Sequence, residues 1–211
     1  MRKRPLLPLA DYQRIYQVIY SVLEASGNAR THRACSFFAS VGALILREHY
    51  GLKATISMGS MALMVDEAKA NVVVYGRQKG DEWVYDVNGF HAWVECDGWL
   101  IDFMAPIMGA ALKEDGIPFN VPSNMLQKRL DDRQPHLQAI QHQGDFFCAH
   151  DAALANDIIE NQELMFQDLV RICMAWFRKP PKPLPSIGIG GNGIDARKPL
   201  VLKAPAIIGV W

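Results

Sequence analysis

At Lys53 the apolar residues change period, and that change restricts the chain to folds that set helices against a sheet. Before it, Tyr12, Ile15, Tyr16, Ile19, Val22 and Leu23 recur three and four apart. Asp11 stands where an N-cap accepts the first free amide protons, so a first helix is expected from there to about Gly27. Residues 28–33 are polar and turn-like. Phe37, Phe38, Val41, Leu44 and Ile45 then mark a second helix to Tyr50, with Gly51 at C′ and Cys35 in its first turn. After Lys53, residues 54–58, 61–65, 71–75, 82–87, 90–96 and 99–103 read as short strands. Turn signals separate them at Gly59-Ser60, Lys79-Gly80-Asp81, Asn88-Gly89 and Asp97-Gly98, the pattern of an antiparallel meander.

Beyond Pro106 the pattern weakens, and helical spacing returns from Asp151 to about Arg178 through Leu154, Ile158, Leu164, Leu169, Ile172 and Trp176, as two helices meeting near Asn161. The expectation is an α+β domain over 1–178, with N-terminal helices packed on an antiparallel sheet and further helices C-terminal. Residues 179–211 form a Pro- and Gly-rich linker and an apolar end expected to dock as a strand.

Composition excludes several classes. Half of the 211 residues are apolar, enough for a core, and 22 Lys and Arg balance 22 Asp and Glu, which argues against a nucleic-acid groove. No apolar run reaches the length of a spanning helix, so no membrane partner is expected. Cys35, Cys96, Cys148 and Cys173 form no CxxC pair, which fits reduced thiols in a cytoplasmic protein. His136, His142, Cys148 and His150 crowd within fifteen residues, but their spacing matches no compact metal motif, and no metal or other cofactor is expected. Gly188-Ile-Gly190-Gly191-Asn-Gly193 satisfies G-x-G-x-x-G in letters, yet a proline run feeds it and Pro199 follows, so it reads as linker.

The chemistry-bearing stretch is Phe90-His91-Ala92-Trp93-Val94-Glu95-Cys96-Asp97-Gly98-Trp99-Leu100-Ile101-Asp102. A two-residue Asp97-Gly98 turn pairs Cys96 with Trp99 and Val94 with Ile101. Parity then puts His91, Trp93 and Asp102 on one face, with Asp102 diagonal to His91, and sends Cys96 to the other. Cys148 and Cys173 have no polar partner nearby in sequence, which leaves Cys35 as the thiol. At a helix start, free amide protons and the dipole stabilise a thiolate, and Arg30, His32 and Arg33, with no acidic neighbour in sequence, fit beside an anion. A second register through Asn88-Gly89 sets Asp86 opposite His91 and makes it the alternative acid.

Cys35 at a helix start, then His91-Ala-Trp93 on one strand and Asp102 on the next, resembles the transglutaminase-like branch of the papain-like cysteine-peptidase superfamily. Gly51-Leu-Lys-Ala54 and Gly59 match that family's turn and following strand, so the likeness covers 30–105, about half the chain. The resemblance implies a Cys35-His91-Asp102 triad performing acyl transfer through a thioester, most readily as a cysteine peptidase or amidase acting on a peptide or amide bond. No Trp or Gln stands a few residues upstream of Cys35, which leaves Asn28 and Trp93 as candidate oxyanion or substrate-binding side chains. Resolution of the thioester by an amine instead of water would make the protein a transglutaminase or acyltransferase, and loss of the chemistry would leave a binding domain of the same fold.

Overall fold

The computed structural model describes residues 5–27, 30–80, 82–118, 120–190 and 198–211, with the side chains of 78 and 82 outside the description. It is an α+β arrangement of helices packed on a mostly antiparallel sheet. Helix α1 (Leu9–Ser26) begins one turn earlier than the periodicity implies, because the Pro8 carbonyl accepts the amide protons of Asp11 and Tyr12. Asp11 therefore lies inside the first turn, where its charge suits the dipole, and accepts a hydrogen bond from the Tyr50 hydroxyl at 2.9 Å. After a 3₁₀ turn at Thr31–Arg33, α2 (Cys35–Tyr50) runs to Gly51, whose φ of 67° closes the helix in the left-handed region.

Strand β1 (Thr55–Asp66) is the spine of the sheet. Gly59-Ser60, expected as a turn between two strands, lies inside it. Glycine is required there because a Cβ at residue 59 would run into the carbonyl oxygen of Ala149. β2 (Asn71–Tyr75) pairs with β1 over residues 61–66, and after the small hairpin β3 (Arg77–Lys79) and β4 (Glu82–Val84), β5 (His91–Cys96) pairs with it over 55–59. The sheet continues through β6 (Trp99–Asp102) and β7 (Asn124–Arg129), with α3 (Met108–Glu114) between them. β8 (Phe146–His150) returns to β1 over residues 59–63. Gly59 thus pairs with both His91 and His150, and Met61 with both Tyr75 and Cys148. A strand has two edges, so β8 occupies one, and β2 and β5 lie end to end along the other. The chain leaves the sheet at Tyr75 and re-enters it at His91.

Helices α4 (Ala152–Glu160) and α5 (Leu164–Trp176) meet at Asn161. α1, α2 and α5 bury one face of the sheet around Tyr16, Phe38, Ile45, Val94 and Trp176, while Leu63, Trp93, Leu100, Leu126 and Met108 form a second core on the opposite face. The described parts of the tail are tied to the domain at several points. Trp176 donates its indole N–H to the Pro185 carbonyl, Ser21 exchanges two hydrogen bonds with the Lys203 backbone, and β11 (Gly209–Val210) adds to β7 in parallel. Between them β9 (Gly188–Ile189) pairs with β10 (Lys198–Pro199), and residues 191–193 of the glycine motif lie outside the described residues. No described helix is long and apolar enough to cross a membrane.

Candidate active site

β5 and β6 take the register that the Asp97-Gly98 turn dictates, Cys96 with Trp99 and Val94 with Ile101, with both turn residues at positive φ. That register brings His91, the first residue of β5, to Asp102, the last of β6: Nε2 and Oδ2 are 2.9 Å apart, and both side chains are completely enclosed. Asp102 is itself held. Its Oδ1 accepts the Met104 amide proton at 2.8 Å, and its backbone carbonyl accepts the Tyr12 hydroxyl from α1. Anchoring Asp102 at one carboxylate oxygen and at its backbone carbonyl fixes the imidazole it holds.

The second ring nitrogen of His91, Nδ1, is buried without a regular hydrogen bond. Cys35, at the first position of α2 and 6% exposed, lies close enough to act on the ring. Burial lowers the imidazolium pKa, but Asp102 and then Cys35 raise it, and the ring is held up at about 10. One nitrogen is committed to an acid and the other left for the thiol, an arrangement suited to proton exchange with sulfur. The amides at the start of α2 have no acceptors within the helix, and no side chain caps them. Burial pushes the other thiols up, Cys148 to about 11, with Cys96 and Cys173 also raised.

Several sequence expectations are corrected. Asp86 is not opposite His91: the tight turn over 86–89 pairs it with Gly89, and its carboxylate forms an exposed ion pair with Arg77. Trp93 shares the parity of His91 but is fully buried in the second core, and its indole N–H donates to Glu95 Oε1 at 3.0 Å, so that proton is already given. Asn28 lies outside the described residues. His32 and Arg33 do not face an anion in the site, because α3 supplies Glu114 and Asp115 as their partners from eighty residues away. Of the four residues weighed as metal ligands, His142 bonds to Glu67 and His150 Nδ1 accepts the Met58 amide proton; no cluster of three metal-binding groups occurs among the described residues.

Sequence reasoning missed Tyr75. Its ring stacks on that of His91 at 3.9 Å with an 18° tilt, and its buried hydroxyl has no hydrogen-bond partner among the described residues. Burial, with Asp102 and Cys35 nearby, raises the phenol pKa well above its ordinary value, so the hydroxyl keeps its proton as a donor. The stack follows from the end-to-end strands, since Tyr75 faces Met61 and His91 faces Gly59, two places apart on the same side of β1.

A family model described as a protein of unknown function, DUF2026, matches residues 8–211. No curated protein matches the chain. Among solved structures it is similar to the crystal structure of a genomics target, at 31% identity and a TM-score of 0.82, over 99% of this chain and 98% of that one.

Proposed function

Taking the chain as a member of DUF2026, the family of unknown function to which it belongs, we propose that it is a thiol-dependent acyl-transfer enzyme on a papain-like, transglutaminase-like fold. Cys35 is the nucleophile, His91 the base and Asp102 the residue that orients it. The observation that carries this reading is an imidazole bonded to a buried carboxylate through one nitrogen, with its other nitrogen left unbonded and a thiol close by. The thiolate attacks a peptide or amide carbonyl, and the amide protons at the start of α2 stabilise the oxyanion. The imidazolium then protonates the departing nitrogen, leaving a thioester that water resolves. Residues 1–178 form the catalytic domain, and four unpaired cysteines fit a reducing, cytoplasmic setting.

The test is the pH dependence of iodoacetamide alkylation at each cysteine, read by peptide mass spectrometry, in wild type and His91→Ala. Cys35 alone is expected to react at neutral pH, since burial holds the other three thiols up. The His91 substitution removes its advantage. A Cys35 that stays inert across the pH range overturns the proposal.

A further inference from the structure

Two buried polar atoms meet in the site without a hydrogen-bond partner among the described residues: Nδ1 of His91 and the hydroxyl of Tyr75, in rings stacked at 3.9 Å. A buried polar group left unbonded costs stability, so two in one stack point to a partner that arrives with the reaction. Nδ1 has a use in acyl transfer, the exchange of a proton with sulfur. The Tyr75 hydroxyl has none so far. It is a donor, because burial, with Asp102 and Cys35 near enough to bear on it, raises its pKa and keeps its proton in place. Asp102 does not accept that proton: its Oδ1 takes the Met104 amide and its Oδ2 takes His91. The oxyanion hole, for its part, still lacks a side chain. Trp93 has given its indole proton to Glu95, which leaves the uncapped amides of α2 as its other donors.

We propose that Tyr75 is a catalytic residue, its hydroxyl donating a hydrogen bond to the oxyanion of the tetrahedral intermediate formed on Cys35. The proposal rests on the acyl-transfer reading. As the thiolate forms its bond to carbon, the carbonyl π pair moves onto oxygen, and that oxygen accepts from Tyr75 and from the amides of α2. When the pair returns, the carbon–nitrogen bond breaks and the imidazolium proton on Nδ1 goes to the departing nitrogen. Tyr75 keeps its own proton throughout. A single intermediate thus supplies a partner to both unbonded atoms. β1 sets them side by side, since Tyr75 faces Met61 and His91 faces Gly59 on the same side of the strand. Cys35 is 6% exposed and His91 is wholly enclosed, so a carbonyl that reaches the sulfur has entered the enclosure in which the hydroxyl lies.

Two small reagents separate this role from thiol activation. Acetylation of Cys35 by p-nitrophenyl acetate passes through an oxyanion, whereas alkylation by iodoacetamide displaces iodide at a saturated carbon and forms none. Both rates are read at Cys35 by peptide mass spectrometry in wild type, Tyr75→Phe and Tyr16→Phe. Tyr75→Phe keeps the stacked ring and deletes only the hydroxyl; the ratio of acetylation to alkylation is expected to fall at least about tenfold. Tyr16→Phe deletes another unpartnered buried hydroxyl, in the core on α1, and leaves the ratio unchanged. A smaller fall in Tyr75→Phe, alkylation that falls in step with acetylation, or an equal fall in Tyr16→Phe overturns the role of Tyr75. So does a wild-type Cys35 that is alkylated but not acetylated, and in all four cases the nucleophile stands. If wild-type Cys35 is inert to both reagents, the acyl-transfer reading fails and the role of Tyr75 falls with it.

Discussion

Replacing Asp102 by Asn keeps the shape of the carboxylate and removes its charge, so it tests what holds the proton on His91. In wild type the ring is held up at about 10 against burial. At pH 7.5 that leaves about one molecule in 300 with a neutral imidazole. Without the carboxylate, Cys35 alone opposes burial, so the pKa falls and the share of neutral imidazole at the same pH rises. Long-range proton–nitrogen NMR of the imidazole separates the two forms, and alkylation of Cys35 in the same samples follows the supply of imidazolium. We expect the His91 midpoint to drop below pH 8 and alkylation at pH 7.5 to fall more than about twofold. Asp86→Asn serves as the matched control, because that residue holds an exposed pair with Arg77 that is worth about 1 kcal/mol at most. A His91 that still titrates above pH 8 in Asp102→Asn, or alkylation within twofold of wild type, would refute the assignment of Asp102.

In a Cys35→Ala background the sulfur no longer exchanges protons, and the His91–Asp102 pair alone gives stability a pH dependence. Its stabilisation is complete below the unfolded imidazole pKa of about 6.5 and declines by about 1.4 kcal/mol per pH unit as pH rises toward the raised folded value; urea unfolding at pH 7, 8 and 9 that shows no decline contradicts the pairing. Tyr75→Phe keeps the stack and removes an unpartnered buried hydroxyl, so denaturant unfolding should show a gain of about 1–3 kcal/mol, and a loss of more than about 1 kcal/mol would mean that the hydroxyl has a structural partner. Gly59→Ala forces a Cβ against the Ala149 carbonyl at φ 155°, and the strained backbone alone costs about 1–3 kcal/mol; a thermal melt unchanged from wild type shows that β8 can give way.

The parts of the site legible in the sequence are those fixed by local rules. A tight Asp-Gly turn sets the β5–β6 register, and parity does the rest for His91 and Asp102. The limits of α2 were equally plain, since Gly51 closes it and hydrophobic spacing opens it. What escaped depends on partners far along the chain. β7 hides because its Gln127 is buried by a paired bond to the Leu7 backbone, which breaks any alternating pattern. β8 ends in polar His150, and Gly59 reads as a turn until the strand crossing it is known. Glu114 and Asp115 are separated from His32 and Arg33 by eighty residues, so their neutralising role left no mark near Cys35. Tyr75 belongs to the same class: its meeting with His91 bridges fifteen residues that take no part in the sheet path.

Because β2 and β5 are both clamped to one continuous β1, the two ends of the 76–90 excursion are held at a fixed separation whatever lies between them. The segment therefore behaves as a replaceable cassette. The hydrogen bonds that hold the imidazole and its carboxylate come from outside it, so its length and sequence up to Phe90, which packs on the core, can be exchanged by grafting without removing those bonds. Two proteins built on this frame could keep identical triads and differ only in the cassette, and a designer wishing to redirect the molecule has fifteen consecutive residues in which to do so.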